Sequence, residues 1–259
     1  AGLLYASNPF LLTRLAIGHL MIAIPMAVLP WVVRRLLRPG DDLARTFLAL
    51  LALSLAGHYG GTIAGIVVLV GLVTTRGRNG LRVVGVTALA QLSWLVPGLI
   101  VYVQGVSMAD ATPFSMVDPS VADVGRVLAG HGFYDPAYQV GHPGGALVLL
   151  AGVVLLALAI LGTRDLPDGL GVPFAILAAV GFVIAIATAV PGLSAVSVWM
   201  SRTAVGSVLR EGQRALPLYL VWLAPAAALG AHRLATGRAD RPRGARLAWL
   251  VLPLGLATV

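Results

Sequence analysis

The sequence predicts an all-α fold: a polytopic integral membrane helical bundle of about seven to eight membrane segments, built as one transmembrane domain over residues 1–259. Three observations predict it. The chain is 58% hydrophobic and only 11% charged, whereas a soluble domain carries about 25% charged residues. Apolar runs near the ~20 residues needed to cross a bilayer recur along its length. All 18 basic residues are arginine, and they lie in short clusters between those runs. A net charge of +8 distributed in this way fits anionic headgroups and a positive cytoplasmic side, so membrane lipids are the expected partners and nucleic acid is not. The expected location is the plasma membrane, crossed several times. The chain has no cysteine, which excludes disulfides, thiolate metal sites and cysteine nucleophiles.

The first predicted span runs from Leu15 to Val33, with Arg14 and His19 near its start and Pro25 and Pro30 inside it. It ends at Trp31 and the Arg34, Arg35, Arg38 cluster, which marks a cytoplasmic end. Leu43 to Thr75 follows, interrupted by Gly57, Gly60 and Gly61. Arginines stand before it or at its very start (Arg34, Arg35, Arg38, Arg45) and after it (Arg76, Arg78, Arg82). Both ends are therefore cytoplasmic and the glycine-rich middle is a turn at or near the outer face. Each arm of about fifteen residues is short for a span, so full crossing and a re-entrant hairpin both stay open. His58 is read as a turn residue.

Val83 to Val103 is the next span. It leads into a predicted extracytoplasmic loop over 104–144, which holds Asp110, Asp118, Asp123, Asp135, His131 and His142. Ser120 followed by Asp123 opens a short helix whose Val121, Val124, Val127 and Leu128 share a face, as in a helix lying on the membrane surface. Gly145 to Gly162 returns to a cytoplasmic turn at Arg164 to Asp168, and Val172 to Val190 crosses outward. A second extracytoplasmic loop spans 191–214, Ala215 to Ala231 crosses back, and a basic stretch from His232 to Arg246 precedes an apolar Leu247 to Val259. In this arrangement five arginines lie outside (Arg14, Arg126, Arg202, Arg210, Arg214) and thirteen inside, while the ten acidic residues divide five and five. The bias is carried by arginine alone, as the positive-inside rule requires. Ala1 follows no visible basic leader and the last apolar run is short of a full span, so the chain is expected to be part of a longer one.

Arg14, Arg202, Arg210 and Arg214 run against the charge bias, each close to a membrane boundary. A guanidinium there can hold a lipid-linked phosphate in a two-pronged grip, although snorkelling to headgroups is the commoner role of one such arginine. Arg202, Arg210 and Arg214 fall within thirteen residues and beside Glu211, which favours an anionic lipid substrate. Asp118, Asp123, Asp135 and Glu211 are the outer carboxylates available for proton or metal chemistry. His131, Asp135 and His142 have no established metal-ligand spacing. No metal site is assigned and no cofactor is expected, with a divalent metal left open. Phe133, Tyr134, Tyr138 and Trp199 can stack on a sugar or serve as interfacial aromatics.

Several short motifs add a resemblance. Asn8, Pro9 and Phe10, then Arg14 and Leu15, then Gly18 resemble the "NPF-x-x-x-RL-x-x-G" opening of large actinobacterial membrane proteins related to the C-type glycosyltransferases. Trp94 to Pro97 resembles their "PWLLP" segment, Gly130 to Phe133 their "GxGF" piece, and Leu209 to Arg214 their "REP-x-K/R" element. Gly212 replaces the usual proline of the last motif, and Ser93 that of the second. The resemblance implies a transferase that moves a sugar from a polyprenyl-phosphate donor onto a cell-envelope acceptor at the outer face. It implies that Arg210, Glu211 and Arg214 engage the donor, that Arg14 and His19 support the same cavity, and that the catalytic carboxylate precedes Ala1. A transporter or flippase and a non-catalytic assembly protein are the rival readings. The first would show buried ionisable pairs and broken helices in the bundle, whereas the charges of this chain are expected at the membrane edges.

Overall fold

A computed structural model describes residues 1–37, 42–75, 80–103, 121–131, 146–167, 169–187, 189–190, 192–201 and 211–236. All regular structure among them is helical. Two short helices, α1 (Gly2–Ala6) and α2 (Pro9–Ala16), come first. Asn8 caps α2 by accepting from the Leu11 N–H at 2.9 Å, and Pro9 takes the first helical position, where its missing N–H costs nothing. Gly18, at φ +78°, ends α2. The long helix α3 (Leu20–Leu37) therefore begins five residues later than Leu15, and Arg14 sits on a separate helix. It also continues past Val33, because Arg34 and Arg35 suit the negative end of a helix dipole. Pro30 leaves the Met26 carbonyl without its helical partner. The Tyr5 hydroxyl donates to that carbonyl at 2.8 Å, pinning α1 against α3.

The stretch 43–75 forms the two expected arms, α4 (Leu43–Ser54) and α5 (His58–Thr75), joined by a turn whose Gly57 has φ +63°. Beside them runs α6 (Gly80–Val103). Gly61 packs where a Cβ would strike the Trp94 ring at 2.2 Å. The Trp94 indole donates to Gln91 at 2.6 Å and the Ser93 hydroxyl donates to that of Ser54 at 3.2 Å. The α4–α5 turn thus lies level with the middle of α6, which continues nine residues beyond Trp94, about 14 Å at helical rise. That turn is recessed rather than placed at the outer limit of the bundle, and α4, at 12 residues, covers only about 18 Å.

The remaining elements are α7 (Val121–Leu128), α8 (Ala146–Gly162), a 3-10 turn at Thr163–Asp165, α9 (Gly171–Ile186), α10 (Leu193–Ser201), a second 3-10 turn at Gly212–Ala215, and α11 (Leu216–Thr236). The expected surface helix is present as α7, but its apolar side meets α8 instead of lipid. Val127 is fully buried, and Gly125 packs against Leu149. Helix α11 is the centre of the fold, buried along most of its length against α8 and α9. Two glycines allow its close approach to α8. A Cβ on Gly230 would lie 1.9 Å from the Leu158 carbonyl oxygen, and one on Gly162 would lie 2.0 Å from that of Ala226.

Four helical stretches are long and apolar enough to cross a membrane: Leu20–Leu37, Gly80–Ile100, Ala146–Asp165 and Gly212–Thr236. Three more apolar helices, Leu43–Ser54, His58–Thr74 and Gly171–Ile186, are shorter. The described residues therefore supply fewer full-length segments than the seven to eight expected. Short arms and early breaks account for the difference, and the last apolar run, 247–259, lies outside the described residues. Different connecting segments meet at the two ends of α11. Asp165 and Arg233 pair at 3.6 Å at one end, beside the Trp222 indole, which donates to Thr163 at 3.1 Å. The α2–α3 break, the α4–α5 turn and the turn before α11 meet at the other.

Candidate functional site

Four of the five arginine-site residues expected from sequence come together at that second end: Arg14, His19, Glu211 and Arg214. Arg210 lies outside the described residues. Arg14 projects from α2 into the bundle and is fully buried. Its guanidinium carbon lies 5.4 Å from the centre of the Phe10 ring one turn earlier, a cation–π contact. Glu211 directly precedes the 3-10 turn leading into α11 and is 6% exposed. One carboxylate oxygen pairs with Arg214, and the other lies 4.0 Å from Arg14 Nη1. Two guanidiniums thus share one carboxylate, and the trio carries one net positive charge. The Arg214 side chain is 24% exposed and that of Arg14 1%, so Arg214 is the arginine a ligand can reach.

His19 occupies the break between α2 and α3, exposed and on the wall of a cavity of about 500 Å³. Arg14 Nη1 lies 3.1 Å from His19 Nδ1. A guanidinium has no acceptor, so Nδ1 accepts and the ring proton resides on Nε2. Partial burial lowers the His19 pKa, with Arg14 and then Arg214 adding to the effect and Glu211 opposing it. The imidazole is therefore neutral near pH 7. Tyr59, 5% exposed, and Arg214 complete the polar wall of the cavity.

Among the described residues, most buried side-chain atoms without a hydrogen-bond partner belong to this cluster and its immediate chain neighbours. They include the Tyr59 hydroxyl, Arg214 Nε and both polar atoms of the fully buried Gln213 amide. Each such group costs about 1–3 kcal/mol if nothing satisfies it. A ligand or water with both donors and acceptors is the ordinary remedy. Both Glu211 oxygens face guanidiniums and His19 Nδ1 is engaged by Arg14, so this geometry does not present them as proton acceptors.

Other candidates are not joined to it. Asp118, Asp135, His142, Arg202, Phe133, Tyr134 and Tyr138 lie outside the described residues, and Asp123 falls on α7 in a part whose side chains are not described. His131 follows α7 and is buried, with its Nδ1 lacking a partner. Burial, reinforced by Arg126, lowers its pKa to about 4. Among the described residues no three His, Asp or Glu side chains gather as metal ligands. Trp199 is exposed on α10, and His58 opens α5. Tyr59 and Gln213 went unread in the sequence. A tyrosine one position into an apolar helix carries no signal that links it to an arginine more than forty residues away. Comparison with known proteins adds no assignment: no family model, no curated protein and no solved structure matches the chain.

Proposed function

We propose that the chain is a multi-pass membrane protein that binds a polyprenyl-phosphate sugar at the outer face and serves its transfer to a cell-envelope acceptor, in the manner of the C-type glycosyltransferases. One observation carries the reading: two guanidiniums balanced by a single carboxylate, beside a cavity set among apolar helices. Such a site is short of one negative charge, and a phosphodiester on a lipid carrier supplies it in the medium where these helices are stable. The cavity lies in the range that small ligands occupy, about 300–1,000 Å³. With no free base in the cluster, the catalytic carboxylate is sought elsewhere in the protein.

The buried Arg14–Glu211–Arg214 trio also favours a second reading, transport or flipping of an anionic lipid. The trio is buried among helices although it lies at one end of the bundle, and buried ionisable groups often mark a pathway. Reconstituting the longest chain that contains this sequence with a radiolabelled polyprenyl-phosphate sugar separates the two. Transfer of label to a polar acceptor, lost in Arg214→Gln, supports the transferase. Movement of the intact donor between leaflets without transfer supports the transporter, and the absence of both overturns the reading. Sidedness is tested with single cysteines in this cysteine-free chain: His58→Cys should react with an impermeant thiol reagent outside the cell, and Arg164→Cys should not. The opposite pattern inverts the orientation.

A further inference from the structure

Helix α9 is short for a bilayer: its 16 residues rise about 24 Å, against a hydrocarbon core of about 30 Å. Its end is fixed at the Arg214 side of the bundle, because a Cβ on Gly212 would lie 2.4 Å from the Ile184 carbonyl oxygen. The chain then turns through Gly192, whose φ of +87° is left-handed backbone that glycine adopts without strain, and α10 begins at Leu193. A helix that starts where a short span stops starts at the depth where lipid chains meet headgroups. With 9 residues, about 14 Å, α10 is far too short to cross a membrane itself.

The two faces of α10 are turned the wrong way for water. Leu193, Val196 and Trp199, one helical turn apart, are 40%, 51% and 68% exposed, and Ala195 beside them is exposed as well. Ser194 and Ser197 are half-buried on the other side, with Val198 and Met200. A helix facing water would carry its serines outward and its tryptophan inward. No charged residue lies in Leu193–Ser201. Among the described residues, α10 shares no extended interface with another helix. Four side chains on so short a helix also fall well below the ~800 Å² per partner of a standard protein interface, which favours lipid over a protein as the occupant of this face.

We propose that α10 lies along the membrane boundary at the Arg214 end, with Leu193, Val196 and Trp199 seated among the acyl chains of the surrounding lipids just below their headgroups. The inference rests on the membrane part of the reading above and is independent of the sugar donor. A tryptophan suits this depth, since its ring is apolar while its N–H can stay with the polar headgroups. A helix lying in the interface buries its apolar face about 5–10 Å into that boundary. The bilayer then supplies the packing surface that no described helix gives to this segment.

The cysteine-free chain allows the test. Single cysteines are spin-labelled in the full chain in nanodiscs, and relaxation is measured with oxygen, which concentrates in lipid, and with a nickel chelate, which stays in water. Labels at Leu193→Cys, Val196→Cys and Trp199→Cys should respond several-fold more to oxygen than to the chelate, and Ser197→Cys should respond weakly to both. Leu89→Cys, on the exposed side of α6, is the lipid reference, and Arg164→Cys, exposed at the opposite end, is the water reference. If Leu89→Cys reports lipid while the α10 labels behave as Arg164→Cys does, or are shielded from both reagents as under a protein partner, the inference alone is overturned. If Leu89→Cys reports water, the membrane reading falls with it. A second measurement needs no cysteine: lipids brominated near the headgroup should quench the fluorescence of the parent more than that of Trp199→Phe, and equal quenching overturns the inference. Lipid contact by α10 in a protein that neither binds nor transfers the donor upholds the inference and refutes the donor reading.

Discussion

Glu211→Gln keeps the size of the side chain and removes the only negative charge of the trio. In the folded protein Arg14 is fully buried, and its Nη1 lies 4.0 Å from the carboxylate. At that separation and an effective dielectric of about 20, the gross attraction is about 4 kcal/mol. Removing one partner of a buried ion pair typically costs about 3–5 kcal/mol, because the remaining buried charge loses its counter-charge. We therefore expect Glu211→Gln to lower unfolding stability by about 3–5 kcal/mol, a large part of the roughly 5–15 kcal/mol available to a folded domain. Asp165→Asn is the internal control. Its pair with Arg233 is as short, at 3.6 Å, but the side chains are 40% and 53% exposed. Solvent screens such a pair, and the change should cost less than about 1 kcal/mol. The assay is reversible denaturation in detergent, followed by far-UV circular dichroism for both variants. Farnesyl phosphate should restore more stability to Glu211→Gln than it adds to the parent, since the ligand replaces the lost negative charge. A loss below about 1 kcal/mol for Glu211→Gln, equal to that of Asp165→Asn, would refute the claim that the trio is an electrostatic unit.

Three further outcomes are expected. Tyr5→Phe leaves the Met26 carbonyl that Pro30 frees without a donor, and chemical denaturation should register a loss of about 1–2 kcal/mol; no change would mean that lipid or water already serves that oxygen. Gly230→Ala places a methyl group against the Leu158 carbonyl oxygen. It should cost at least about 3 kcal/mol, while Gly98→Ala, in open space, should cost nothing measurable by thermal unfolding. The buried His131, with a folded pKa of about 4 against an ordinary 6.5, keeps its full contribution above pH 6.5. That contribution is lost as pH falls toward 4, because the unfolded chain takes up the proton first. Stability should drop by about 2 kcal/mol between pH 7.5 and 5, and His131→Gln should flatten that part of the profile; an unchanged slope would assign it to other groups.

The hairpin over 43–75 could be read from arginine placement. Because Arg34, Arg35 and Arg38 precede the 43–75 stretch and Arg76 and Arg78 follow it, a hairpin was expected, and α4 and α5 form one with Gly57 at its turn. Hydrophobicity alone blurred the helix ends. Leu15 and Ala16 are as apolar as the residues of α3, and only the left-handed Gly18 separates them from it. Span count suffered for a related reason, since composition does not record that α4 stops after 12 residues. The site was legible in part. Arg14 and Arg214 stood out because each opposed the charge bias, and the structure joins them through Glu211 although 200 residues separate them in the chain. Tyr59 and Gln213 were invisible because their importance is a missing partner, a property of packing rather than of residue type. The α7 face was misassigned because its apolar stripe suits α8 as well as it suits lipid.

The most direct test of the anion site is an experimental structure of the full chain with farnesyl phosphate. The phosphoryl oxygens should lie about 2.7–2.9 Å from Arg214, the accessible arginine of the trio, with Glu211 still between the two guanidiniums. Phosphate found instead at the Arg164 end, with the Arg14–Glu211–Arg214 cluster unchanged and its cavity filled only by water, would contradict the account.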